Sequence, residues 1–147
     1  MNKQKVILLV EDNEQDELLT LRALRKHNIK NQVIICRDGE EAMNWLFRKG
    51  IHSERDKELV PQVILLDIKL PKIDGLEVLR SIRSHSETCR LPVVILTTSS
   101  EEKDLIQSYD LGANSYVKKP VDFNNFSEAI KSLGTYWLDI NQIEGSV

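Results

Sequence analysis

The chain has 147 residues and only two cysteines, Cys36 and Cys89, far apart. That excludes a disulfide framework and a cysteine-based metal site, and it fits reduced thiols. His27, His52 and His85 are isolated as well, with no spacing for joint metal ligation. No apolar run approaches the length of a membrane span, so no membrane association is expected. There is no basic excess: 20 Lys and Arg stand against 23 Asp and Glu, a net charge of −3, and the basic residues are scattered. An electrostatic grip on nucleic acid is therefore not expected. The turn after the first apolar run lacks glycine, carrying Glu11-Asp12-Asn13 instead, which argues against a dinucleotide-binding enzyme. Repeats, low-complexity tracts and linkers are missing too. Met1 to Lys5 leads into a short apolar run that does not read as a secretory leader, and a cytoplasmic location is expected.

What is present is an ordinary globular composition, 41% apolar and 29% charged, at the length of one domain. Five β-branched apolar runs stand out: Val6 to Val10, Val33 to Cys36, Val63 to Leu66, Val93 to Leu96 and Ser115 to Val117. The first, third and fourth are continuous, as in strands buried on both faces of a parallel sheet. Helical stripes lie between and after them. They are Leu18, Leu21, Leu24; Ala42, Met43, Leu46, Phe47; Val78, Leu79, Ile82; Leu105, Ile106, Tyr109; and Phe126, Ile130, Leu133, Trp137. Asn28, Gly50 and Gly112 are the expected helix stops. Alternating strands and helices with right-handed crossovers predict a doubly wound α/β fold with a five-stranded parallel sheet and helices on both faces. The core is expected over about residues 5–138, with a short tail at 139–147. The polar segment Arg48 to Pro61 reads as a helix extension followed by a surface loop.

Polar residues gather at the predicted strand ends. Asp67 ends the third apolar run, Glu11-Asp12 follow the first, and Thr97 and Lys119 stand at the ends of the fourth and fifth. In an open parallel sheet these positions converge on the crevice where ligands bind. Three carboxylates there repel one another unless a cation sits among them, and magnesium prefers such oxygen ligands together with a phosphate oxygen. Lys119 can pair with a carboxylate and then with a phosphoryl oxygen. Strand alternation aims only one of Lys118 and Lys119 into the pocket, and spacing alone does not choose between them. Pro120 makes the Lys119-Pro120 bond a candidate cis peptide. Thr97 can bond a phosphoryl oxygen, while Ser99 or Ser100 can cap the fourth helix. Tyr116 fits either a core aromatic or a switch.

With these residues in this order, the chain resembles the receiver domain of two-component response regulators, the CheY-like family. The resemblance runs from Lys5 to about Leu138. It includes Glu11-Asp12, Asp67 within Ile64 to Pro71, Asp74-Gly75, Thr97, Gly112-Ala113, Tyr116 and Lys119-Pro120. It implies the strand order 2-1-3-4-5 and a single receiver domain over 1–147. It also implies Asp67 as phosphoacceptor, Lys119 rather than Lys118 as the functional lysine, and Mg2+ held by Glu11, Asp12, Asp67 and the Lys69 backbone carbonyl. The implied partner is a sensor histidine kinase. Thr97 and Tyr116 become switch residues that reset the face made by the fourth helix, fifth strand and fifth helix. Such a protein catalyses its own phosphorylation and dephosphorylation without a separate catalytic domain.

A narrower resemblance, to phytochrome-associated single-domain regulators, rests on Leu70 to Gly75, the Arg48 to Pro61 segment, Leu96 to Ser99 and Tyr136-Trp137-Leu138. It implies a phytochrome kinase as partner and a homodimer, for which Phe126, Tyr136, Trp137 and Ile140 are the candidate contacts. Ile68 stands where the best-studied chemotaxis member has tryptophan, and Lys69 follows. A flavodoxin would carry hydroxyls in the first turn, and a haloacid-dehalogenase-type phosphatase would need an acid at position 69. The alternative of another class is a phosphorylation-independent interaction module with the same fold; the intact acidic set with Lys119 argues against it.

Overall fold

The computed structural model describes residues 4–119 and 122–143. Its strands are β1 (Gln4–Val10), β2 (Val33–Cys36), β3 (Leu59–Leu66), β4 (Val93–Thr97) and β5 (Ser115–Lys118). Its helices are α1 (Glu14–Lys26), α2 (Gly39–Phe47), α3 (Gly75–Ser84), α4 (Glu102–Asp110) and α5 (Phe123–Gly134). All pairings are parallel, in the order β2-β1-β3-β4-β5. The expected doubly wound sheet is what the chain forms.

Alternation along each strand divides the core in two. Val6, Leu8, Val10, Ile64, Leu66, Val93 and Ile95 face α2 and α3. Ile7, Leu9, Val63, Leu65, Val94 and Leu96 face α1 and α5. The continuous apolar runs are therefore one alternating pattern serving two layers.

Helix ends follow their local chemistry. Asn13 caps α1, its side chain accepting from the Asp16 amide at 3.0 Å, and Asp38 caps α2 by accepting from the Glu41 amide at 2.7 Å. Past α1, Asn28 adopts a positive φ of 60°. Gly112 follows α4 at φ 101°, and the Ala113 amide closes back onto the Ser108 carbonyl at 2.9 Å. A β-carbon at Gly112 would also lie 2.9 Å from Nε of Arg83.

Two stripes differ from expectation. Leu18 of α1 is exposed; the buried face is Glu17, Thr20, Ala23 and Leu24. Glu17 can be buried because Arg37 pairs with it at 3.0 Å. On α4 the whole predicted stripe, Leu105, Ile106 and Tyr109, points outward, and the buried residues are Asp104 and Ser108. Hydrogen bonds hold that face: Ser99 Oγ donates to Asp104 Oδ2 at 2.6 Å, and Ser108 Oγ to the Asp104 carbonyl at 2.7 Å.

The Arg48 to Pro61 segment is more built than a surface loop. Gly50–His52 form a 3-10 turn, and β3 starts at Leu59. Arg55 stacks on Trp45 with its guanidinium carbon 3.9 Å from the ring centre. It also donates to the carbonyls of Trp45, Asp56, Leu59 and Leu46, closing the carboxyl end of α2. The pairing of β3 with β1 skips Gln62, so Val6 opposes Pro61 and Ile7 opposes Val63. Gln62 is buried, and its amide reaches the Trp137 carbonyl at 3.0 Å.

That carbonyl belongs to a π-helical turn, Thr135–Ile140, which continues α5. The helical course thus passes the expected core limit at 138. Phe126, Ile130 and Trp137 are buried in the protein's own core. Phe126 and Trp137, expected as dimer contacts, are corrected to intramolecular packing residues. Tyr136 and Ile140 remain exposed. The Lys119-Pro120 bond lies outside the described residues.

Candidate functional site

The carboxyl ends of β1, β3, β4 and β5 meet at one place. Past β1 the Glu11 amide donates to the Cys36 carbonyl at 3.0 Å, and the Asp67 amide donates to the Val10 carbonyl at 3.1 Å. The Lys119 amide likewise donates to the Thr97 carbonyl at 2.7 Å. The sheet's own ladder therefore carries each residue one step beyond its strand. Gly75 brings α3 against this loop. A β-carbon there would sit 2.1 Å from the Asp67 carbonyl oxygen and 2.8 Å from the Ile68 α-carbon, so no larger residue fits without displacing the backbone.

Glu11, Asp67, Thr97 and Lys119 are all buried, whereas Asp12 is exposed at the mouth. Lys118 is exposed, so the side chain aimed inward is that of Lys119. Its ammonium donates to Glu11 Oε1, to Asp16 Oδ2 at 2.9 Å and to Asp67 Oδ2 at 3.1 Å. The other oxygen of Asp67 accepts from the Lys69 amide at 3.3 Å. Glu11 turns its second oxygen to the Asn13 amide at 3.2 Å.

Charge is unbalanced here. Glu11, Asp12, Asp16 and Asp67 face a single ammonium. Burial, with the neighbouring Asp67 charge, pushes the Glu11 carboxyl up to about 7 against the opposing pull of Lys119. For Lys119, burial alone would favour the neutral amine. The charges of Asp67 and Glu11 and the hydrogen bonds that the ammonium donates to Glu11 and Asp16 outweigh it and hold the proton above the ordinary lysine range.

Carboxylate oxygens of Glu11, Asp12 and Asp67 lie within 4.8 Å of one another. An all-oxygen donor set with surplus negative charge and one exposed member fits a hard divalent ion that keeps part of its water, as magnesium does.

Around this centre the structure places residues that sequence reasoning missed. Asp16, in the first turn of α1, reads from sequence as a helix-start acid, yet its carboxylate reaches Lys119. Asp104 meets Ser99 and also lies 3.6 Å from the Lys69 ammonium. The expected serine cap of α4 is displaced: Glu101 holds the cap position, and Ser99 Oγ accepts from its amide at 3.3 Å. Thr97 Oγ1 accepts from the Ser99 amide at 3.3 Å, and the Tyr116 hydroxyl donates to the Ser99 carbonyl at 3.1 Å. Thr97 and Tyr116 thus meet at the backbone of one residue.

A parallel sheet of this order with an aspartate, an acidic pair, a threonine and a lysine at its strand ends defines a phosphoryl-handling signalling fold of the flavodoxin-like class. The model of the response regulator receiver domain matches residues 7–131. The chain belongs to that family. It is 40% identical over 138 residues to the response regulator Rcp1 of Synechocystis sp., covering 94% of this chain and 92% of Rcp1. The crystal structure of the phosphorylated cyanobacterial phytochrome response regulator RcpA superposes with a TM-score of 0.87 at 38% identity, covering 98% of this chain and 99% of that one. The Mn(2+)-bound form of Rcp1 superposes with a TM-score of 0.86 at 39% identity, covering 95% and 98%. Among the described residues no helix is long and apolar enough to cross a membrane.

Proposed function

We propose that this protein is a single-domain response regulator whose Asp67 accepts a phosphoryl group from a phosphohistidine of a sensor histidine kinase, in phytochrome signalling. The observation that carries the reading is the Lys119 ammonium shared between Asp67 and Glu11 at the meeting point of four strand ends. The phosphorylated phytochrome response regulator RcpA and the Mn(2+)-bound response regulator Rcp1 support it. A carboxylate oxygen of Asp67 attacks phosphorus, and the P–N bond of the phosphohistidine breaks with its electron pair going to the imidazole. Lys119 pairs with the incoming phosphoryl oxygens, and the Thr97 hydroxyl donates to one of them. Asp12, Asp67 and the Lys69 carbonyl, with Glu11 beside them, would hold magnesium, which would neutralise charge on the transferring group. Drawing Thr97 toward the phosphoryl group pulls on the Ser99 amide, and Ser99 also holds Tyr116 and α4. That biases an existing equilibrium on the face of α4, β5 and α5.

Intact mass after incubation with a small phosphodonor and magnesium tests the chemistry. One phosphoryl group on the wild type and none on Asp67→Asn is the expected result; equal labelling of both refutes the assignment.

A second copy of the chain is the proposed partner on the β5 side. Strand β5 is an edge of the sheet, exposed Tyr136 lines a groove with Ser115 and Val117 of that strand, and Ile140 is exposed further along the same helical course. Sedimentation showing only monomer at micromolar concentration, with and without a phosphoryl mimic, would refute the dimer.

A further inference from the structure

We propose that Asp16 is a positioning residue that competes with the phosphoryl group for the Lys119 ammonium and so holds the site toward its unphosphorylated state. The inference rests on Asp67 being the phosphoacceptor. An ammonium has three N–H donors and no more. In this structure all three have carboxylate partners: Glu11, Asp16 and Asp67. A phosphoryl group on Asp67 takes over the donor that the Asp67 carboxylate held, and it can gain a second one only by displacing Glu11 or Asp16.

Burial decides which one leaves. The Glu11 side chain is 2% exposed. The Asp16 side chain is 27% exposed, at the rim. A carboxylate at the rim regains water as it lets go, whereas a buried one would be stranded without solvent. Asp16 is the partner that yields.

The local helix chemistry points the same way. Asp16 is the third residue of α1, the position from which an acid ordinarily reaches back to the amide of the cap residue. Here Glu11 already accepts from that amide, of Asn13, and Asp16 turns instead to Lys119. Its position on α1 is thus set by helix geometry and its direction by the lysine. Once released, Asp16 stays close to a group more negative than the carboxylate it replaced, and repels it.

The test is a titration of wild type, Asp16→Asn, Asp16→Ala and Asp16→Glu with beryllofluoride at saturating magnesium, read by fluorine NMR. Beryllofluoride serves as the stable phosphoryl mimic. Asp16→Asn and Asp16→Ala are expected to bind it roughly fivefold more tightly, the scale of losing one partly exposed ion pair. Asp16→Glu, which keeps the charge, is expected to return to within about twofold of wild type. A merely structural role would not separate the glutamate from the asparagine. Binding by wild type with no gain in Asp16→Asn or Asp16→Ala overturns the role of Asp16 alone. No binding by wild type or variants overturns it together with the phosphoacceptor reading.

Discussion

Replacing Lys119 by methionine keeps the length and apolar body of the side chain and removes its charge. The structure sets the consequence. The Lys119 side chain is 5% exposed and its ammonium touches Glu11, Asp16 and Asp67, so its loss leaves a cluster of acids without that counter-charge. Breaking a buried pair from one side costs roughly 3–5 kcal/mol. Glu11 limits the damage, because its carboxyl already stands near neutrality at about 7 and can take a proton instead. The lower end, about 3 kcal/mol, is therefore expected at pH 7 without metal. For a chain of this size that lowers Tm by roughly 6–12 °C. Differential scanning calorimetry at low salt reads it directly. A further reading belongs to the same experiment: magnesium should raise the Tm of the variant more than that of wild type. A metal-free Lys119→Met protein that melts with wild type at pH 7 would show that the acids are not held against one another by this lysine, and the electrostatic account of the site would fall.

The Glu11 carboxyl is raised in the fold, so its neutral form is favoured there; without metal, stability should fall as pH climbs from about 4.5 to about 7. A metal ion competes with that proton, so magnesium affinity by calorimetric titration should weaken below pH 7 and level off above it; equal affinity at pH 6 and pH 8 would contradict this. Gly75→Ala forces a β-carbon onto the Asp67 carbonyl oxygen, and a loss of roughly 1–3 kcal/mol in urea unfolding is expected, with weakened phosphoryl acceptance. Cys36 is fully buried and its thiol is pushed up to about 12, chiefly by burial, while Cys89 is half-buried. Iodoacetamide at pH 8 should modify Cys89 first; faster modification of Cys36 would mean that the α2 layer opens in the native state.

The alternation of strands and helices and the convergence of Glu11, Asp12, Asp67, Thr97 and Lys119 were legible because they depend on periodicity and on where apolar runs stop, while the strand order came from the resemblance to receiver domains. Asp16 was not, because a helix-start acid and a lysine partner look alike in sequence; only the fold brings residues 16 and 119 together. The α4 stripe failed for a related reason. Leu105, Ile106 and Tyr109 have apolar spacing, but the site supplies polar partners for Asp104 on the opposite side. Pattern reading assigns the apolar face inward and does not see hydrogen bonds from a distant loop. The Arg48 to Pro61 segment read as a surface loop because its main anchor is one arginine, Arg55, whose partners are backbone carbonyls that sequence does not display.

The outward apolar face of α4 bears on what it costs to move that helix. A helix whose large side chains interlock with a core leaves a void when it slides, and each void has a cost that grows with its volume. Helix α4 buries an aspartate and a serine and keeps its leucine, isoleucine and tyrosine outside. Shifting it exchanges the hydrogen bond with Ser99 and the ion pair with Lys69 and empties little space. The same displacement would bring Leu105, Ile106 and Tyr109 to a new angle before a partner. The fold thus joins a helix held by polar contacts to an exposed apolar surface, so that a change at one buried carboxylate can be read from outside.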